Sequence, residues 1–170
     1  GRDELARIAL AWGPAEGGAP IASRLVLSGH SAGGFVWGKA AAFEIDALRA
    51  LGRILPSAAR QIEDIHLSGC FTEREVQSAS RWVDTFPHLK TLWGYRGFSP
   101  SAPVGHLLGW ADATKGRAAR LAEPFVAAHG TATAWSVRGG IANAGASLEQ
   151  RRALVAQAEA RFTAYASGDR

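Results

Sequence analysis

Two short stretches, LVLSGH (residues 25–30) and IHLSGC (residues 65–70), give the strongest indication of how this chain folds. Each is an apolar run typical of a buried strand, and each ends in Ser-Gly followed by a residue with a reactive side chain, His30 or Cys70. Each glycine permits a sharp turn that leaves the next side chain above the sheet. If the strands are parallel neighbours about 4.8 Å apart, the imidazole and the thiol meet at one edge of the sheet.

Helix and strand patterns alternate along the rest of the chain. Apolar residues at helical spacing predict helices, and short apolar runs between turn residues predict strands. The predicted strands are 24–29, 64–70, 89–95 and an edge strand at 131–137. The predicted helices are 2–12, 47–55, 72–85, 117–129 and 147–166, with one more after the Pro-rich stretch that begins at residue 99. The glycines at 33, 34 and 38 predict a loop, and 43–45 a short extended link.

Two helices carry start signals. Asp46 and Thr72 are predicted N-caps, and Glu75 is the predicted capping-box partner of Thr72. The alternation as a whole predicts an α/β fold of three αβα layers, in which a mostly parallel sheet with right-handed crossovers lies between helices. No interior boundary is evident, so we expect one domain over residues 1–170.

The composition limits the classes of partner. The chain is 47% hydrophobic and 20% charged, which suits a globular domain. Its net charge is +4, but the arginines are scattered over predicted helix faces, so we expect no nucleic-acid binding. No apolar run reaches the roughly 18 residues of a membrane span, so we expect no membrane insertion. The single Cys allows no internal disulfide or cysteine-cluster metal site, and the histidine spacings match no metal-ligand pattern, so neither a metal nor a cofactor is expected.

The sequence contains no Met and begins at Gly1. We therefore expect an excised or processed part of a longer protein, with flanking domains as partners within the parent chain. The first residues carry no secretory signal pattern, and the lone Cys favours a cytoplasmic location.

A thiol beside an imidazole is suited to nucleophilic catalysis. A neighbouring imidazolium or a helix N-terminus raises the fraction of thiol present as reactive thiolate. In this arrangement Cys70 is the candidate nucleophile, and His30 is the candidate base and the acid toward a leaving amine. The backbone amides of Cys70 and of the turn that begins at Gly29 and includes Ser31 are candidate oxyanion donors.

The order strand–Ser-Gly-His, helix, strand–Gly-Cys resembles the caspase-like fold of caspases, legumains, gingipains and CHAT-type bacterial peptidases. The resemblance covers about residues 24–97, and LWGYRGFSPS (92–101) is also similar to the strand after the cysteine in some bacterial members. It implies a thiol protease that hydrolyses peptide or protein substrates, with His30 as catalytic histidine and Cys70 as nucleophile. The abundance of Ala, Arg and Gly is typical of a bacterial GC-rich genome.

Two other functions remain open at this point. The string GHSAGG (29–34) matches the G-x-S-x-G nucleophile elbow of α/β-hydrolases, which would make Ser31 the nucleophile of a serine esterase. That motif needs a helix directly after the serine, where this sequence has several glycines. The other alternative is a catalytically inactive caspase-like module that binds partners within a larger bacterial effector.

Several further side chains near the predicted site have candidate roles. Trp93 and Tyr95 could line a substrate groove beside the cysteine strand, and Arg96 could favour an acidic residue at the cleavage site. His66 is expected to be a packed core residue, and His106 to lie at the surface.

Overall fold

The computed structural model describes residues 2–31, 34–38, 42–100, 104–115, 126, 130–143, 156 and 160. Within these ranges the elements are, in chain order, α1 (Arg2–Glu16), β1 (Arg24–Ser28), β2 (His30–Ser31), β3 (Phe35–Trp37), β4 (Ala42–Glu44), α2 (Ile45–Ile54), α3 (Pro56–Ala59), β5 (Asp64–Ser68), α4 (Glu73–Gln77), α5 (Ala79–Val83), β6 (Thr91–Tyr95), α6 (Val104–Ala113), β7 (Ala132–Ser136) and β8 (Gly140–Asn143). Of the helices predicted at 117–129 and 147–166, the described residues include only 126, 156 and 160, which are helical; the other residues of both lie outside the described ranges.

The main sheet has five strands in the order β1-β5-β6-β7-β8. The strands β1, β5 and β6 are parallel, whereas β7 runs antiparallel to β6, and β8 antiparallel to β7. The protein is therefore an α/β protein with a mixed sheet, and the predicted α/β class is confirmed. The strand predicted at 131–137 is present as β7, but it is not an edge strand, because β8 pairs with its outer side.

Apolar clusters cover both faces of this sheet. Ile65 and Leu67 belong to a first cluster that includes side chains from α1 to α5. Trp93 and Tyr95 of β6 belong to a second cluster, which includes Trp110 of α6. Because successive side chains of a strand point to opposite faces, helices pack on both sides of the sheet.

A second, smaller sheet follows the first strand of the main sheet. The strands β2, β3 and β4 pair antiparallel in sequence order. The predicted glycine loop is therefore wrong over 35–37, where β3 forms. The extended link predicted at 43–45 is present over 43–44 as part of β4, but Ile45 is already the first residue of α2. Val36 anchors this sheet, because its side chain is buried in the first apolar cluster.

Two helix predictions are corrected. The helix α1 continues through Pro14 to Glu16, and Ala15 of this last turn is buried in the core. The helix predicted at 72–85 is two short helices, α4 and α5, which are divided at Ser78. Serine is a poor helix former because its hydroxyl competes for backbone hydrogen bonds.

The predicted N-caps also differ. Thr72 stands at the N-cap position of α4, but its side chain makes no cap hydrogen bond. Asp46 lies in the first turn of α2, and Glu44 occupies the N-cap position. Glu75 bonds to Arg49 and Trp82 instead of closing a capping box with Thr72.

Candidate active site

The ends of β1 and β5 approach each other closely at one edge of the sheet. Ser28 pairs with Ser68, and Gly29 N–H donates a hydrogen bond to the Ser68 carbonyl (3.3 Å). A Cβ on Gly69 would lie only 2.7 Å from the Ser31 Cβ and 3.1 Å from the Gly29 carbonyl oxygen. No side chain fits at this position, so the backbones of the two turns are in direct contact. The residues that follow the two glycines are His30 and Cys70.

His30 belongs to the small sheet. Its backbone pairs with Trp37 of β3, and the two rings lie 5.9 Å apart at an angle of 31°. The turn into β2 leaves no space beside Gly29, where a Cβ would lie 2.8 Å from the Trp37 carbonyl oxygen and 2.9 Å from Val36 Cγ1. The imidazole is exposed at the protein surface. The small sheet thus fixes the backbone that presents this histidine.

Cys70 lies in the turn between β5 and α4 and is partly buried. Its Sγ lies 3.7 Å from the hydroxyl oxygen of Ser99. The next residue, Phe71, has a φ of +56°, in the left-handed region that non-glycine residues rarely adopt. Phe71 N–H donates to the Gly97 carbonyl (2.9 Å). These bonds hold the cysteine turn against the segment that follows β6.

Sequence reasoning missed the contributions of Phe71, Gly97 and Ser99. The Phe71 ring also packs edge-on against Phe98 at 5.4 Å. The only sequence signal for these residues was the resemblance of LWGYRGFSPS to the strand after the cysteine in bacterial caspase-like domains. The pattern indicated a strand there, but it did not indicate that the loop after the strand turns back onto the thiol.

The candidate oxyanion donors differ in their availability. Gly29 N–H already donates to the Ser68 carbonyl, so it is removed from the predicted set. Ser31 and Cys70 remain candidates through their backbone amides. The side chain of Ser31 is 4% exposed and faces Gly69. The helix α4 has only five residues, so its N-terminus contributes a smaller partial charge than the predicted helix at 72–85 would.

Trp93 and Tyr95 do not line an open groove. Each side chain is 1% exposed, and both belong to the second apolar cluster. Burial raises the pKa of the Tyr95 hydroxyl to about 12. That hydroxyl lies 3.0 Å from Nε2 of His66, which is fully buried as predicted. The two aromatic residues were misassigned because β6 is covered on both faces.

Arg96 follows β6 at the same edge of the sheet. Its backbone N–H donates to the Thr131 carbonyl (2.9 Å), and its side chain is half-buried. His106, which was predicted to lie at the surface, is in α6 and is half-buried.

Neither a metal cluster nor a membrane span occurs in the part of the chain that the structure describes. Its His, Cys, Asp and Glu side chains form no group of three that could hold a metal ion. Over the same ranges, no helix has the length and apolar character that crossing a bilayer requires.

Comparisons of the chain with protein-family models, with curated proteins and with solved structures found no match. The order and direction of the strands define the protein as an α/β protein with a mixed sheet.

Proposed function

We propose that the chain is a cysteine endopeptidase, with Cys70 as nucleophile and His30 as general base and acid. The observation that carries the proposal is the contact between the two strand ends, where Gly69 lies against Ser31 and the Gly29 carbonyl. The backbones of neighbouring parallel strands are about 4.8 Å apart. His30 and Cys70 follow these two glycines, so their backbones leave the sheet side by side, which supports a thiol–imidazole pair.

In the proposed reaction, the Cys70 thiolate attacks the carbonyl carbon of the scissile peptide bond. As the C–N bond breaks, the His30 imidazolium gives its proton to the leaving amine, and a thioester forms on Cys70. The neutral His30 then takes a proton from a water molecule, whose oxygen attacks the thioester. The carboxylic acid and the thiolate are released, and the protonated imidazole is restored. Neither step needs a cofactor.

The fold we propose is the caspase-like one, with three αβα layers. Three features support it: the parallel order β1-β5-β6, helices on both faces of the sheet, and the positions of His30 and Cys70, each one glycine after the end of β1 or β5. The antiparallel strands β7 and β8 extend the sheet beyond the three parallel strands, on the side of β6.

The serine-esterase alternative lacks the local structure that its motif requires. In a nucleophile elbow the serine stands exposed between a strand and a helix. Here Ser31 lies within β2, its side chain is buried, and the chain continues into the antiparallel strand β3. Among the residues that the structure describes, the first helix after Ser31 is α2, which begins at Ile45. This arrangement favours the thiol mechanism.

A peptide-library digestion tests the proposed activity directly. A proteome-derived peptide library is incubated with the wild-type chain, and new N-termini are identified by mass spectrometry. We expect cleavage by the wild type and by Ser31→Ala, and loss of cleavage in Cys70→Ala and His30→Ala. Cleavage that survives Cys70→Ala, or labelling of Ser31 by a fluorophosphonate, would contradict the proposal. A folded wild type that cleaves nothing would favour the inactive interaction module of a larger effector.

A further inference from the structure

The strands β5 and β6 separate before β5 ends. Backbone pairing between them ends at His66↔Trp93, whereas the pairing of β5 with β1 continues to Ser28↔Ser68. The end of β5 therefore stays in register with the strand that leads to His30, while it moves away from β6.

Thr72 fills the gap between the separated strands. Its Oγ1 accepts a hydrogen bond from the Tyr95 N–H at 3.0 Å. Its hydroxyl donates toward two carbonyl oxygens, Gly69 at 3.1 Å and Leu67 at 3.3 Å. Gly94 leaves space for this side chain, because a Cβ there would lie 2.8 Å from Thr72 Oγ1. A side-chain hydroxyl thus connects β5 and β6 where they no longer pair directly.

The bond to the Gly69 carbonyl also orients the peptide group of the cysteine. Gly69 C=O and Cys70 N–H belong to the same peptide group, and in a trans peptide they point in opposite directions. Thr72 is fully buried, so the carbonyl faces the buried hydroxyl and the Cys70 N–H faces away from it. An oxyanion hole needs a backbone N–H held in this way before the substrate arrives.

We propose that Thr72 is a positioning residue, which orients the Cys70 N–H as an oxyanion donor by holding the Gly69 carbonyl. The inference rests on the proposed thiol mechanism. It predicts that loss of the Thr72 hydroxyl slows those reactions of Cys70 that pass through a tetrahedral oxyanion. The rates of thiol reactions that form no oxyanion should change little.

Two reagents distinguish thiol reactions that form an oxyanion from thiol reactions that do not. Iodoacetamide alkylates the thiolate by displacement at carbon, and no oxyanion forms. p-Nitrophenyl acetate transfers its acetyl group to the thiolate through a tetrahedral oxyanion, forming a thioester and releasing p-nitrophenolate. Because Cys70 is the only cysteine of the chain, adducts at this thiol are unambiguous by mass spectrometry, with Cys70→Ala as the blank.

For Thr72→Val, which keeps the shape but loses the hydroxyl, we expect acetylation of Cys70 to slow by at least about tenfold, since losing one oxyanion donor costs about a hundredfold to a thousandfold. Alkylation should change by less than about threefold, because it develops no oxyanion. Thr72→Ser keeps the hydroxyl and should restore acetylation. If Thr72→Val does not fold, Thr72→Ala is used, because it also removes the hydroxyl that holds the Gly69 carbonyl.

Equal slowing of both reactions, or no change in either, would overturn the inference while leaving the thiol mechanism intact. Failure of the thiol mechanism gives a different result: wild-type Cys70 would then react no faster than a simple thiol with either reagent, and His30→Ala would change neither rate. That result would overturn both the proposed function and the role of Thr72.

Discussion

At the scale of single residues, Gly69 controls how closely the two strand ends approach. A Cβ at this position would lie 2.7 Å from the Ser31 Cβ, closer than two carbon atoms can be without displacement. We expect Gly69→Ala to separate the turns, to lower the free energy of unfolding by about 1–3 kcal/mol, as overpacking does, and to reduce the effect of His30 on Cys70 reactivity.

The matched control is Gly38→Ala, where an added Cβ meets nothing within 4 Å. Urea unfolding and alkylation rates measure both variants. Equal stability and equal reactivity of Gly69→Ala and Gly38→Ala would show that the close approach at Gly69 has no consequence for the site.

The sequence predictions that are confirmed depend on local pattern, and those that are wrong depend on distant contacts. The strands β1 and β5 were predicted from short apolar runs that end in Ser-Gly. Thr72 was predicted to be an N-cap from its spacing to Glu75, but its hydroxyl bonds instead to Tyr95, which lies 23 residues further along the chain. A sequence pattern cannot show a partner that only the strand arrangement brings near.

At the scale of elements, a buried ion pair joins α2 to the helices after the cysteine. Arg49 Nη1 donates to Glu75 Oε2 at 2.7 Å, with both side chains buried, and the Arg49 guanidinium lies over the Trp82 ring. Trp82 Nε1 also donates to Glu75 Oε2. The exposed carboxylate of Asp46 is a further partner of Arg49. These contacts fix α4 and α5 against α2.

Glu75→Gln should lower the free energy of unfolding by about 3 kcal/mol, because it removes the buried counter-charge of Arg49 and leaves only the exposed carboxylate of Asp46. The double variant Arg49→Met/Glu75→Gln should recover much of this loss, because it removes both charges and the amide can still accept from Trp82. Urea unfolding measures both variants. A double variant no more stable than Glu75→Gln alone would contradict this account. Arg81→Gln, in the exposed pair with Asp46, is the control and should cost less than about 1 kcal/mol.

The elements that were mispredicted are short and depend on tertiary contacts. The strand at 35–37 is flanked by glycines, which indicated a loop, but the burial of Val36 stabilises it. The division of the helix at Ser78 is not visible in the apolar spacing, since Val76, Ala79 and Trp82 are buried on both sides of the break. Helical periodicity predicts which residues face the core better than it predicts whether a helix is continuous.

At the scale of the whole molecule, the parallel arrangement of three strands places the candidate site residues at one edge of the sheet. His30 follows β1, Cys70 follows β5, and Ser99, whose hydroxyl contacts the Cys70 thiol, lies in the segment after β6. The alternation of helices and strands predicted this edge, since parallel strands end on the same side. The antiparallel strand β8 was not predicted, because its residues show no clear strand pattern.

The most direct test of the thiol–imidazole pair is the rate of Cys70 alkylation by iodoacetamide at pH 6, in the wild type and in His30→Ala. A simple thiol is only about 0.3% ionised at this pH, so it reacts slowly. If His30 forms the ion pair, the wild type should react at least about tenfold faster than His30→Ala at pH 6, and the two rates should converge by about pH 9. Equal rates at pH 6, both as slow as those of a simple thiol, would contradict the pairing of Cys70 with His30.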